Sequence, residues 1–174
     1  MRRKTPDIMI EFRTRYHGPC MLQHCTMMRA VDCGNSYPDN RLRTVDIRLL
    51  SGSVPVHADP ITWHPDEPVT SAALHMQHTL FAVPQVSVRL EKLPGEHLAM
   101  LRTYLTFWRE HRDVIFQGEF MPLEPQNSYP AVLARTEEKL LVGVFANTVI
   151  RLPRSLPEIV LIVNATCMEQ VVLL

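Results

Sequence analysis

Charged and aromatic residues recur where short apolar runs end. Ile8-Met9-Ile10 leads into Glu11-Phe12-Arg13, and Met27-Met28 leads into Arg29-Ala30-Val31-Asp32. Val54-Pro55-Val56 leads into His57-Ala58-Asp59, with Trp63-His64 just beyond, and Val86-Ser87-Val88 leads into Arg89. Carboxylates can move protons, arginines can hold hydroxyls or orient a carboxylate, and an indole face can stack on a pyranose ring, so the set suits sugar chemistry. If the four runs are parallel strands, the loops at their carboxyl ends converge. Glu11, Arg29, Asp32, Asp59 and Trp63 then surround one opening.

Each of these residues also has a plainer role. Glu11 suits an ion pair with Arg13 or Arg29 as well as it suits a substrate contact. Asp39 fits the N-cap of the helix that follows. Trp63, between Pro60 and Pro65, fits a packed loop as well as a stacking face, and Phe107 and Trp108 belong to the core side of a helix. Cys20, Cys25, Cys33, His17 and His24 are of the types that hold zinc. Four residues separate Cys20 from Cys25 and six separate His17 from His24, and neither is a structural-zinc spacing, so no metal and no cofactor are expected. The sequence holds no glycine-rich phosphate loop, nucleophile elbow or HExxH run.

The elements that must position these groups follow from periodicity. Ile8–Phe12, Met27–Val31, Val54–His57 and Val86–Leu90 read as strands separated by crossovers, which implies parallel pairing. Only a turn or two of helix fits near Pro19–Cys25. A helix over Asn40–Leu50 places Leu42, Val45 and Leu49 on one face, with Gly52 to end it. Another starts near Pro68 and carries Val69, Ala72, Ala73, Met76 and Leu80. A long one runs from about Pro94 to Gln117, with Leu98, Leu101, Leu105, Trp108 and Ile115 at steps of three and four. Past Gly118 the period becomes two. Tyr129–Ala134, Leu140–Ala146, Glu158–Val163 and Gln170–Leu174 read as an antiparallel sheet, with Glu137-Glu138-Lys139 as a hairpin turn. Pro122 and Pro125 mark a boundary, so residues 1–118 form one domain and residues 119–174 a second, C-terminal one.

The chain's 174 residues are too few for a closed eight-unit barrel, which needs roughly 250. Hydrophobic residues make up 46% and charged residues 21%, enough for a sizeable core. Eighteen basic residues balance eighteen acidic ones, so bulk charge offers nothing to nucleic acid or to an anionic membrane. No apolar run approaches the roughly 20 residues of a membrane span, and Met1–Asp7 leads into no signal-peptide core. Four cysteines without an export signal point to reduced thiols and a cytoplasmic location.

Several short motifs, taken in order, resemble bacterial alpha-galactosidases of the melibiase type. They are Ile10-Glu11-Phe12-Arg13, Tyr16-His17-Gly18-Pro19, Arg29-Ala30-Val31-Asp32-Cys33 and the run from Asn40 to Gly52. The likeness continues through Val56-His57-Ala58-Asp59, Trp63 to Val69, Phe81 to Leu90 and Phe107 to Asp113, and more loosely into the C-terminal zone. It spans nearly the whole chain.

The resemblance implies a (β/α) barrel followed by a β-sandwich, of which this chain is the C-terminal portion. Its four strands would correspond to barrel units five to eight, a half barrel, and the C-terminal sheet would be truncated. Asp32 then falls at the acid/base position of a retaining double displacement, and the nucleophile's strand would lie upstream of Met1. Arg29 and Glu11 would bind sugar hydroxyls or hold the acid/base carboxylate. Members of the family often carry another acidic residue soon after that aspartate, where this chain has Gly34-Asn35-Ser36 and reaches Asp39 only later. The expected partner is a terminal alpha-galactoside, together with an upstream half-barrel chain or a second copy. Two other classes fit the same residues: a non-catalytic carbohydrate-binding remnant, and a half-barrel interaction protein whose open strand edges invite pairing.

Overall fold

The computed structural model describes residue 5 and residues 7–13 and 18–174. Strands and helices alternate through the first two-thirds, giving the chain its α/β character: β1 (Glu11–Phe12), α1 (Pro19–Leu22), β2 (Met27–Arg29), α2 (Tyr37–Ser51), β3 (Val56–His57), α3 (Val69–His78), α4 (Gly95–Glu110) and α5 (Arg112–Gln117). A second series of strands follows: β4 (Glu119–Leu123), β5 (Ala131–Arg135), β6 (Lys139–Val144), β7 (Val149–Ile150), β8 (Ile159–Asn164) and β9 (Val172–Leu173).

β1, β2 and β3 pair in that order, parallel throughout, with Glu11 opposite Met27 and Arg29 opposite His57. The expected fourth strand at Val86–Leu90 is not a strand; Leu90–Lys92 is a turn of 3-10 helix. The parallel sheet continues instead through two single bridges, His57 to Val83 and Ile61 to Val86. Pro60 and Pro84 interrupt the ladder between them, since neither has an N–H to give. Alternation along these segments separates two faces. Met28, Ala30 and Val56 pack with Ile47 of α2, and Ala58 and Ala82 pack with Ala72 and Met76 of α3 and Leu101 of α4. Glu11, Arg29, His57 and Val83, set by the register, lie on the opposite face. The three sheets are open among the described residues.

The helices end where local chemistry ends them. α2 starts three residues before Asn40, with Ser36 at its N-cap position, and Asp39 sits in its first turn accepting a hydrogen bond from the Ser36 hydroxyl at 2.8 Å. The long helix expected up to Gln117 breaks at His111, whose backbone leaves helical geometry and whose ring stands edge-on to Phe107 at 4.5 Å. Trp108 donates its indole N–H to the Ala82 carbonyl at 2.7 Å, which docks α4 on the parallel sheet.

The C-terminal sheet is mixed, in the order β4-β5-β6-β8. β4, β5 and β6 are antiparallel, and the β5–β6 hairpin turns at residues 136–139, where Thr136 N–H meets the Lys139 carbonyl at 2.8 Å. β8 then pairs parallel to β6, because the residues between them leave the sheet, contribute β7 to a separate ribbon with β9, and return in the same direction. β4 runs through Pro122, one of the two prolines that mark the boundary. β4 is an edge strand, where a missing N–H is tolerated. One apolar cluster joins Val45, Leu80 and Phe81 of the first zone to Val114, Ile115, Val132, Leu141 and Phe145. α2 reinforces it: Tyr129 donates its hydroxyl to Asp46 at 2.8 Å, and Arg48 donates to the carbonyls of Phe81 and Ile115 at 2.9 and 2.6 Å.

Candidate functional site

A polar network covers the carboxyl ends of β1, β2 and β3. Arg29 is its centre, with a side chain only 13% exposed. Its Nε stands 3.0 Å from Glu11 Oε1, near enough for charge attraction although not aligned as a hydrogen bond, and its Nη1 donates to Asp59 Oδ1 at 3.3 Å. On the other side of Glu11, His57 Nδ1 lies 3.8 Å from Oε2, and Gln85 Nε2 reaches both Glu11 Oε2 at 3.4 Å and His57 Nδ1 at 2.7 Å. Burial holds the His57 imidazolium below its ordinary range, the Glu11 charge acts against that shift, and Arg29 adds to it.

Asp59 is part of this network and also the anchor of the loop after β2. Its Oδ2 accepts from the Cys33 backbone N–H at 2.7 Å, while its own N–H and carbonyl exchange hydrogen bonds of 3.0 and 2.9 Å with the Asn40 amide. With all these atoms engaged and the residue 6% exposed, Asp59 holds the loop. Arg43 donates to the Val31 carbonyl from the other side. Gly34 closes against Pro60, where any Cβ would overlap the Pro60 carbonyl. Burial, and then the Asp59 charge, push the Cys33 thiol up to about 11, so it is a protonated packing group at neutral pH.

The loop so fixed carries Asp32. Its backbone is left-handed, with φ at 52°, a conformation in which aspartate is tolerated better than most residues. Its carboxylate is 64% exposed and pairs with Arg13, at the end of β1. Glu11 and Asp59 are thus tied into the sheet, whereas Asp32 presents its oxygens to solvent.

Comparison with protein-family models, with curated proteins and with solved structures finds no match. The site therefore rests on its own geometry.

The sequence-derived set comes together in part. Glu11, Arg29 and Asp59 form one ion-paired cluster, and Asp32 stands on the loop which Asp59 anchors. Glu11 takes the plainer of its two readings, as partner of Arg29. Trp63 does not join them. It is 8% exposed, packs with Ile61, Ala72 and Leu101, and donates its indole N–H to His97 Nδ1 at 3.0 Å. Its ring faces lie in that apolar cluster rather than over the polar network. Tyr16 and His17 lie outside the described residues. Sequence reasoning missed Gln85 and Asn40. Gln85 follows from register, since it lies two residues past Val83, which bridges His57. Asn40 left no such signal, because a helix-opening asparagine gives no hint of a partner 19 residues on. Among the described residues, no three His, Cys, Asp or Glu side chains gather as a metal centre, and no helix is long and apolar enough to cross a membrane.

Proposed function

We propose that this chain contributes the acid/base side of a retaining hydrolase of terminal alpha-galactosides, with Asp32 as the acid/base. In that reading the three parallel strands and the bridged segment at Val83–Val86 are the second half of a (β/α) barrel. Confinement of the packed helices to one face of the sheet supports this, as does the polar face opposite them. The observation that carries the reading is the state of Asp32. It stands at the carboxyl end of the central strand, on a loop held by Asp59, Arg43 and Pro60, with its carboxylate exposed beside Arg13. A carboxylate held on a fixed loop and open to solvent is within reach of a glycosidic oxygen, as proton transfer requires. Asp32 would protonate the leaving oxygen and later take a proton from water, while a nucleophilic carboxylate about 5 to 5.5 Å away attacks the anomeric carbon. That nucleophile belongs to barrel strands outside these four segments. Arg29 and Glu11 position the floor of the site, and Arg13 orients Asp32.

The test has two arms, both read with an aryl alpha-galactoside. The chain alone is expected to give no useful turnover, because one general acid contributes only about 10²- to 10⁴-fold. Joined to the upstream half of an alpha-galactosidase barrel, it is expected to restore hydrolysis, and Asp32→Asn is expected to cost that assembly 10²- to 10⁴-fold, about the worth of the general acid. Turnover by the chain alone, or full activity of the joined Asp32→Asn variant, would refute the assignment.

A further inference from the structure

A second candidate site lies between the start of α2, the end of α3 and the loops that follow β6 and β8. A cavity of about 310 Å³ opens there, lined by Pro38, Arg41, Leu74, His78, Phe145 and Asn147 among others. Two of its lining residues are buried and short of partners. Arg41 is 7% exposed; its Nη2 donates to the Ser128 carbonyl at 3.0 Å and its guanidinium lies 4.5 Å over the Phe145 ring, but Nε and Nη1 have no acceptor. His78, 5% exposed, leaves Nδ1 without a partner as well.

Arg48, like Arg41, is drawn down to about 10 by desolvation alone and has no carboxylate beside it among the described residues; the two differ in how many of their N–H groups find acceptors. Arg48, on the same helix, gives both Nη groups to carbonyls and lies over Phe120. Arg41 has one carbonyl and no carboxylate among its ion pairs in the described residues. Desolvation alone draws its guanidinium down to about 10, with no neighbouring anion to offset it. A buried, uncompensated cation is costly, and an anion is what relieves it. The remaining walls are apolar on the side of Pro38, Leu74 and Phe145, and the cavity is several times the volume of a water. A bare inorganic ion would leave most of that space unfilled.

We infer that this cavity is a binding site for a small organic carboxylate, its anionic end on Arg41 and its apolar body against Phe145 and Leu74. His78, neutral through its burial and bonded to the Ala165 backbone, adds no second charge to the cavity. The site shares no residue with the network around Arg29 and does not depend on the role given to Asp32.

Titration calorimetry on the full chain tests it with benzoate as probe, benzamide as the neutral isostere and inorganic phosphate as the bare anion. Benzoate is expected to bind saturably with a Kd at or below about 1 mM, and benzamide and phosphate at least tenfold more weakly. Arg41→Gln is expected to reduce benzoate affinity at least tenfold. If Arg41→Gln fails to fold, Asn147→Leu with Arg41 intact is the second variant, and it should alter benzoate affinity without abolishing it. Equal binding of benzoate and benzamide, stronger binding of phosphate, unchanged affinity in Arg41→Gln, or no saturable benzoate binding would each overturn the inference.

Discussion

Replacing Arg29 by methionine keeps most of the side-chain volume and removes the charge that two carboxylates share. Their environments differ, and the difference sets the size of the effect. Glu11 is 32% exposed and recovers water when its partner goes, so its share falls in the range of exposed pairs, below about 1 kcal/mol. Asp59 is 9% exposed on its side chain and cannot recover water as freely. Stripping one partner from a buried pair costs about 3–5 kcal/mol, and the Cys33 N–H that Asp59 keeps lowers that toward about 2–3 kcal/mol. Arg29→Met is therefore expected to cost about 3 kcal/mol, most of it owed to Asp59. With a urea slope near 2 kcal/mol/M, the unfolding midpoint falls by about 1.5 M. Double-mutant cycles separate the parts: Arg29→Met with Asp59→Asn should show a coupling of about 2 kcal/mol, and Arg29→Met with Glu11→Gln less than half of that. A Glu11 coupling equal to or above that of Asp59, or a total cost below about 1 kcal/mol, would show that the network is not organised around the buried pair.

Two further outcomes are expected from stability measurements. Gly34→Ala places a methyl group into the Pro60 backbone and should cost about 2–3 kcal/mol or more, while Gly95→Ala, in open space at the start of α4, should raise stability by about 0.4–1 kcal/mol; thermal melts that rank the two the other way would contradict the close approach of residues 34 and 60. His78 is the pH test. Burial first, and Arg41 second among the lowering influences, bring its folded value to about 3, so between about pH 3 and its unfolded value near 6.5 the unfolded chain binds the extra proton. Stability should thus fall as pH drops below 6.5, by up to a few kcal/mol. His78→Gln should flatten that slope in urea titrations, leaving the smaller part due to His57 and His75, whose values burial also lowers.

Much of this arrangement was legible because apolar alternation and helical spacing are local. Val45, Ala72, Met76 and Leu101 are buried where their periodicity puts them. Strand direction is not local. Nothing in Ile159-Val160-Leu161-Ile162 says whether β8 joins β6 parallel or antiparallel; the path of residues 145–158 through β7 decides it. Pro122, which bars a helix at the boundary, sits in an edge strand, and the segment that extends the parallel sheet bridges at Val83 and Val86, beginning three residues ahead of the apolar run. In the site, residue types at strand ends were enough to single out Glu11, Arg29, Asp32 and Asp59. They could not separate an anchoring carboxylate from an exposed one, because that depends on the Cys33 amide and the Asn40 side chain arriving from elsewhere.

The apolar cluster that joins Val45, Leu80 and Phe81 to Val132, Leu141 and Phe145 limits how this chain can be divided, by a protease or by recombination. A cut near Gly118 would separate the two halves of one interior, exposing Val114 and Ile115 on one piece and Val132 and Leu141 on the other, all of them at most 2% exposed in the intact chain. Each piece would keep clusters of its own, around Met28 and Ala58 on one and around Leu133 and Leu140 on the other, and both would lose the cluster that joins them. The C-terminal sheet loses its polar grips on another scaffold unless α2 travels with it, because Arg41 and Asp46 are the groups by which that helix holds Ser128 and Tyr129. The smallest heritable unit of this fold is longer than either of the zones that its sequence periodicity marks out.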